Sequence, residues 1–129
     1  MLKIKLIACF KKEWAALCYA ARGVFEFLST EPKTMIYTPA TFAVIVAALL
    51  LHLTNIEWIL LTGAIAAVWA AEMFNTCIEE IMNFIHPAQH PKIKRIKDIS
   101  AGAVLLTAMA SAIAGAIIFL PKILAHVQQ

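Results

Sequence analysis

The sequence contains little charge. Only 15% of its 129 residues are Asp, Glu, Lys or Arg, whereas 62% are hydrophobic. A compact water-soluble fold of this size cannot bury so much apolar side chain, so the composition excludes an ordinary soluble domain and indicates a membrane protein. The length predicts one domain over residues 1–129.

Two further absences restrict the chemistry. The three cysteines lack CxxC spacing and are odd in number, which argues against a disulfide framework and against a zinc site. The sequence also contains neither a GxxxxGKS/T motif nor a kinase glycine-rich loop. It is therefore no P-loop enzyme, and any phosphoryl transfer must be built from other residues.

The distribution of apolar residues predicts an all-α membrane protein. Residues 1–31 mix lysines with large apolar residues, a pattern typical of an amphipathic helix on a membrane surface. Proline at position 32 ends this helix, because the residue before proline is pushed out of helical geometry. Three apolar segments then predict membrane-spanning helices at 36–53, 58–85 and 99–120.

Basic residues predict the orientation of these spans. The N-terminal segment is basic, and so is the region between the second and third spans, whereas the turn after the first span has no Lys or Arg. By the positive-inside rule, the N-terminus lies in the cytoplasm. Ser111 and Gly115, small residues at fourfold spacing in the third span, would allow close helix packing in lipid.

Polar residues interrupt the end of the second span. Glu72, Asn75, Glu79 and Asn83 advance by three or four residues and therefore share one stripe of the helix, whereas Glu80 lies off it and should be solvated. Acidic residues at the edge of a span usually have a function, and carboxylates beside a basic cluster suit Mg²⁺ and phosphate chemistry. The alternative is a stripe that only reaches the interface or pairs with the lysines that follow.

Two histidines beyond this stripe have the i, i+4 spacing of a zinc pair. They are His86 and His90, and Pro87 and Pro91 make a regular helix between them improbable. Interfacial loop histidines are the preferred interpretation, and a zinc pair is the alternative.

Two sequence blocks carry a family resemblance. "EMFNTCIEEIMN", which begins at Glu72, resembles the signature of the prokaryotic diacylglycerol kinase and undecaprenol kinase family. "HPKIKRIKDISAGAVLL", which begins at His90, resembles the Lys-Asp-x-x-x-Gly/Ala-Ala-Val stretch of that family. Gly23 followed by Glu31 is similar to the surface helix of the family and its acidic residue. The resemblance extends over nearly the whole chain.

The resemblance implies an activity, cofactors and partners. Members of the family are small homotrimeric kinases of the bacterial cytoplasmic (inner) membrane. They transfer the γ-phosphate of ATP, with Mg²⁺ as cofactor, to the primary hydroxyl of a membrane lipid. The implied partners are therefore MgATP, a lipid and two further copies of the chain, and no nucleic acid is expected.

The resemblance also implies a role for each of six residues. Glu72 would be the general base on the lipid hydroxyl. The other five would hold the metal or the nucleotide: Glu31 and Glu79 as ligands of the divalent metal, Asn75 for the metal–phosphate geometry, and Lys97 and Asp98 for the nucleotide.

Some positions distinguish this chain within the family. Asn83 stands where Asp is common, and Tyr37 cannot replace the second acid that many members carry after the residue equivalent to Glu31. Features such as Glu57–Trp58 are closer to the undecaprenol kinase branch, so undecaprenol is favoured as acceptor and diacylglycerol is the alternative.

A hypothesis of another class is a non-enzymatic, oligomeric three-span membrane protein. It predicts that Glu72, Asn75 and Glu79 can each be replaced without loss of any ATP-dependent activity. The kinase hypothesis predicts the opposite.

Overall fold

The computed structural model describes residues 2–86, 88 and 90–128, with side chains for 10–86, 88, 90–126 and 128. Secondary structure within these residues is α-helical throughout, which confirms the predicted class. The helices in chain order are α1 (Leu2–Thr30), α2 (Thr34–Leu50), α3 (Asn55–Ile85) and α4 (Pro91–Val127). The chain divides into two compact units, residues 1–40 and 41–129.

In the first unit, α1 ends where the sequence predicts. The break at residues 31–33 contains Pro32, which disfavours helical geometry in the preceding Glu31. Thr34 restarts the helix and is buried, and its hydroxyl lies 3.0 Å from the Leu28 carbonyl oxygen and 2.6 Å from that of Glu31. The one hydroxyl proton of Thr34 is therefore within reach of one carbonyl oxygen in α1 and one at the break.

The described part of α1 has an exposed apolar stripe. Phe10, Trp14 and Leu17 are exposed and follow one another at helical spacing, beside the exposed Lys11 and Lys12. This arrangement is typical of a helix that lies on a membrane surface. That placement stays a prediction.

The second unit begins within α2, which ends earlier than predicted, at Leu50 rather than at residue 53. His52 adopts a left-handed conformation with φ 48°. The Leu53 N–H donates to the Ala48 carbonyl at 3.2 Å and the His52 N–H donates to the Leu49 carbonyl at 3.3 Å, which is the hydrogen-bond pattern of a Schellman motif. Glycine usually occupies the left-handed position, so the sequence gives no sign of this helix end.

Thr54 begins α3 with a capping box. Its Oγ1 accepts from the Glu57 N–H at 3.4 Å, and the Glu57 carboxylate accepts from the Thr54 N–H at 2.6 Å. These bonds satisfy backbone donors that a helix start otherwise leaves without partners. The Glu57 carboxylate also lies 3.1 Å from the Lys122 ammonium group on α4.

The helices supply two or three candidate membrane spans. α3 and α4 are each long and apolar enough to cross a membrane, whereas α2 meets that criterion only together with residues 10–30 of α1. At ~1.5 Å per residue, the 31 residues of α3 extend about 46 Å, more than the ~30 Å of a hydrocarbon core. The helix is therefore longer than an apolar layer is thick. The three-span arrangement stays a prediction.

The third predicted span lies within a longer helix. It was expected at 99–120, but α4 begins at Pro91 and continues to Val127. Lys and Arg have good helix propensity, so the basic segment before the apolar run continues the same helix. Pro91 lies in the first turn, where proline is tolerated. The predicted breaker Pro87 lies outside the described residues.

α3 and α4 pack against each other as antiparallel helices, since contacts join the start of each to the end of the other. Lys122 contacts Glu57 at one end, and Lys97 contacts Asn83 at the other. At the first of these ends a small core contains Leu61 of α3 and Ile118 of α4, together with two residues from the end of α2 and the following turn, Ala48 and Leu53.

The predicted small-residue contact in α4 is present at one of its two positions. The Ser111 hydroxyl donates to the Ala64 carbonyl of α3 at 3.2 Å, which requires close approach of the two helices. At Gly115, an added Cβ atom would meet no heavy atom of the described residues within 4 Å. Close packing within the chain therefore uses Ser111.

Candidate active site

Three residues of the predicted polar stripe are buried or half-buried, whereas the fourth, Asn83, is exposed. The Glu72 side chain is 3% exposed and Asn75 is 2% exposed, whereas the neighbouring Phe74 is 70% exposed. Glu79 is half-buried on the same face, and Glu80 is exposed, as predicted. This part of α3 therefore has its polar groups inside and its apolar groups outside, as expected for a helix surrounded by lipid.

A chain of hydrogen bonds crosses from α4 to α3 at this stripe. The Ser100 hydroxyl donates to Asn75 Oδ1 at 2.7 Å, and Asn75 Nδ2 donates to Glu79 Oε1, also at 2.7 Å. The carboxylate can only accept, so the amide nitrogen must face Glu79 and the amide oxygen must face Ser100. Both ends of the Asn75 amide are thereby oriented.

A second contact joins the end of the stripe to the basic segment of α4. Lys97 Nζ donates to Asn83 Oδ1 at 2.6 Å. Both residues, together with Asp98, line an open cleft of about 700 Å³ between the end of α3 and the start of α4. Lys94, His86 and His90 complete its polar lining. The structure thus brings the predicted residues of the second sequence block to one cleft.

His86 and His90 lie outside regular helix, as predicted. Their ring centroids are 5.8 Å apart. His90 is the N-cap of α4, and its Nδ1 accepts from the Lys92 N–H at 3.2 Å. The observed role of His90 is therefore to cap a helix.

The predicted metal ligands lie in different units of the chain. Glu31 is half-buried at the break after α1, and Glu79 lies on α3. Among the residues that the structure describes, no group of three or more His, Cys, Asp or Glu side chains could hold a metal. Mg²⁺ is commonly bound by only one or two carboxylates together with substrate phosphates, so carboxylate and amide oxygens of this kind fit a nucleotide-bound Mg²⁺.

Sequence reasoning missed Ser100. The residue is 8% exposed and supplies the hydroxyl that orients Asn75. A signal for it exists, because Ser100 follows Lys97 by three residues and therefore shares its helix face. Recognising its partner requires the register of α4 against α3, which the sequence does not provide.

Comparison with known proteins gives concordant matches. The family model described as prokaryotic diacylglycerol kinase matches residues 18–119, a range that contains every predicted site residue. An undecaprenol kinase of Bacillus subtilis is 37% identical over 105 residues, which cover 81% of this chain and 85% of that protein. A diacylglycerol kinase of a Synechocystis species is 35% identical over 120 residues, or 92% of this chain and 65% of that protein.

These matches exceed what chance similarity between apolar helices would give, because they extend over most of the chain and include both polar blocks. They set aside the non-enzymatic hypothesis. The protein belongs to the prokaryotic diacylglycerol kinase family of membrane lipid kinases.

Proposed function

We propose that this protein is an ATP-dependent integral membrane kinase that transfers the γ-phosphate of ATP to the hydroxyl of a membrane lipid. The observation that carries this proposal is the set of buried and half-buried polar groups on α3, where the Glu72 carboxylate lies one turn from the Asn75 amide and Asn75 lies one turn from the Glu79 carboxylate. α3 backbone groups are already paired within the helix here, so these side chains are not needed as helix caps. Acidic residues buried within a membrane-spanning segment usually mark functional sites.

Glu72 is the proposed general base. Its carboxylate would accept the proton of the lipid hydroxyl as the lipid oxygen bonds to the γ-phosphorus. The bond from that phosphorus to the bridging oxygen breaks, and ADP leaves with the bonding electrons. A positioned base of this kind contributes about 10²- to 10⁴-fold to the rate.

Glu79, Asn75 and Glu31 are proposed to position the nucleotide-bound Mg²⁺. Mg²⁺ would supply neutralisation of the charge on the transferring phosphoryl group. The hydrogen bond from Asn75 fixes one oxygen of the Glu79 carboxylate. Hydrogen bonds from Thr34 to the carbonyl of Glu31 fix the backbone from which that side chain projects.

Lys97 and Asp98 are proposed to bind the nucleotide in the cleft between α3 and α4. The cleft volume of about 700 Å³ lies in the range typical of small-molecule sites. Among the residues that the structure describes, the hydrogen-bond partner of Lys97 is the neutral amide of Asn83, which does not cancel the positive charge of the ammonium group. That charge is available to a phosphate group.

The position of the stripe along α3 suits a reaction between one substrate dissolved in water and one dissolved in the membrane. α3 is longer than the apolar layer is thick, and the basic start of α4 adjoins its polar end. We propose that this end faces the cytoplasm of the bacterial inner membrane, with the N-terminus on the same side. A water-soluble donor and a membrane-bound acceptor can then meet at the interface.

Undecaprenol is the preferred acceptor in this proposal, and diacylglycerol is the second candidate. The undecaprenol kinase relative is covered over 85% of its length, against 65% for the diacylglycerol kinase relative. We also propose a homotrimer. Exposed apolar side chains on all three helices of the second unit, such as Phe42, Phe74 and Leu106, would face lipid or a neighbouring copy.

Transfer of labelled phosphate from γ-labelled ATP to lipid tests the proposal. The purified protein in detergent micelles would receive undecaprenol or diacylglycerol, each with and without Mg²⁺. We expect a phosphorylated lipid that forms only with Mg²⁺, and faster transfer to undecaprenol. No transfer to either lipid by folded protein would contradict the proposal, and faster transfer to diacylglycerol would reverse the acceptor assignment.

A further inference from the structure

Ser100 lies in an unusual position for a hydroxyl group. It is 8% exposed on α4, and its partner is a side chain of another helix rather than a carbonyl of its own helix. The bond links residues 25 positions apart, and Asn75 is the largest fully buried side chain among the residues whose side chains the structure describes. Serine in a helix interior normally bonds the carbonyl of the preceding turn.

The bond holds the oxygen end of the Asn75 amide, whose nitrogen end is held by Glu79. The amide oxygen accepts from Ser100, and the amide nitrogen donates to Glu79. Without the serine hydroxyl, the buried oxygen would lose this donor, and the amide would be held at its nitrogen end alone. Hydrogen bonds in series also strengthen one another in a low-dielectric interior, so the loss reaches the bond to Glu79.

We propose that Ser100 is a positioning residue for the kinase reaction: through Asn75 it orients the Glu79 carboxylate towards the divalent cation of the nucleotide. The inference rests on the proposed function. Groups that orient a metal ligand typically change metal affinity or activity by about 10- to 100-fold when removed. Ser100 itself touches neither metal nor substrate in this scheme.

Ser100 lies on the same face of α4 as Lys97. Ser100 follows Lys97 by one turn, so a single turn of α4 carries both the lysine of the nucleotide cleft and the hydroxyl that orients Asn75. A movement of this turn would change both contacts together. The start of α4 thereby couples the nucleotide cleft to the stripe on α3.

The chain offers a matched control. Ser111 lies on the same helix, and its hydroxyl also donates to α3, at 3.2 Å, but the acceptor is the Ala64 backbone carbonyl, away from the stripe. Ser111→Ala and Ser100→Ala each remove one interhelical hydroxyl. Any difference between them in metal dependence reports the role of Ser100 beyond helix packing.

Two measurements on wild type, Ser100→Ala, Ser100→Thr and Ser111→Ala test the inference. The first is the Mg²⁺ concentration for half-maximal phosphate transfer at saturating lipid. The second is the affinity for Mn²⁺ in the presence of a non-hydrolysable ATP analogue, read from the loss of the free Mn²⁺ signal in electron paramagnetic resonance. The second needs no turnover, and unfolding midpoints are recorded for all variants.

We expect Ser100→Ala to raise the Mg²⁺ concentration for half-maximal transfer and to lower the affinity for Mn²⁺, each by about 10- to 100-fold. Ser100→Thr, which keeps the hydroxyl, should recover most of the loss, and Ser111→Ala should match wild type. Equal metal affinity in Ser100→Ala and Ser111→Ala would overturn the inference and leave the bond as helix packing. If Ser100→Ala does not fold, Ser100→Cys, with a weaker donor, should bind Mn²⁺ more weakly, and wild-type affinity there would overturn the inference.

The two proposals fail separately. Absence of lipid phosphorylation by wild-type protein that binds Mn²⁺ with nucleotide would contradict the proposed function. Unchanged Mn²⁺ affinity in Ser100→Ala, with phosphate transfer intact in wild type, would contradict only the role of Ser100.

Discussion

The two ends of the α3–α4 pair both carry polar side chains, but the chemistry differs. At the capped end, Thr54, Glu57 and Lys122 satisfy the start of α3 and one another, and all remain at least partly exposed. At the polar end, Glu72 and Asn75 are buried in a stretch of helix whose backbone is already paired. A polar group that completes a helix end stabilises the fold, whereas for the buried groups in mid-helix we propose a role in catalysis.

The largest predicted effect is at the polar end. Glu72→Gln should reduce phosphate transfer by about 10²- to 10⁴-fold, because the amide cannot accept the hydroxyl proton. The substitution keeps the size of the side chain, so the oligomer size and unfolding midpoint should stay near those of wild type. Transfer rates would be measured with labelled ATP in micelles.

The control for this variant is the same substitution at the capped end. Glu57→Gln should keep the turnover of wild type, since Glu57 caps α3 and contacts Lys122 away from the stripe. Loss of turnover in both Glu72→Gln and Glu57→Gln would contradict the proposal that only the polar end takes part in the reaction.

A second comparison uses asparagine at both ends. Asn75→Asp replaces the amide that donates to Glu79 with a second carboxylate beside it, so we expect about a 10- to 100-fold loss of activity and a higher Mg²⁺ requirement. Asn55→Asp, in the first turn of α3, places an acid where the helix dipole favours it and should retain activity. Similar kinetics in the two variants would contradict the assignment of Asn75.

Stability, not turnover, should respond at the capped end. Thr54→Ala removes the N-cap oxygen of α3 and should lower the free energy of unfolding by about 1 kcal/mol, with kcat unchanged. Denaturant titration in detergent measures the loss. Thr54→Ser keeps the oxygen and should restore stability, and a Thr54→Ala variant with wild-type stability would show that the capping box is dispensable.

The smallest effect is expected at Lys122. Its ion pair with Glu57 is partly exposed, so solvent and salt weaken it. Lys122→Met should destabilise the protein less than Thr54→Ala does, and the difference from wild type should shrink as salt is added. A larger loss than that of Thr54→Ala, independent of salt, would mean that Lys122 acts mainly through packing.

The spacing of polar residues in the sequence was sufficient to predict which residues share one face of α3. Spacing of three and four residues placed Glu72, Asn75 and Glu79 on one face and Glu80 off it, and the structure has that arrangement. Such spacing is decisive because a helix turns by a fixed angle per residue. The break before Thr34 was equally readable, since Pro32 imposes it.

Two helix boundaries and one contact between helices could not be predicted from the sequence. The Schellman motif at His52 uses a residue that rarely adopts left-handed geometry, and α4 continues through a basic segment that hydropathy alone separates from the span. Ser100 resembles any small residue in an apolar helix until its position opposite Asn75 is known. The role of Ser100 depends on the register of α4 against α3, which the sequence does not contain, whereas the two helix boundaries lack the usual local signals.

The most direct test of the distinction between the two ends compares kcat and the unfolding midpoint on the same preparations of wild type, Glu72→Gln and Thr54→Ala. We predict that Glu72→Gln loses lipid phosphorylation and keeps its midpoint, while Thr54→Ala keeps kcat and loses about 1 kcal/mol of stability. A Glu72→Gln protein that is folded and phosphorylates lipid at the wild-type rate would contradict the assignment of the stripe as the active site.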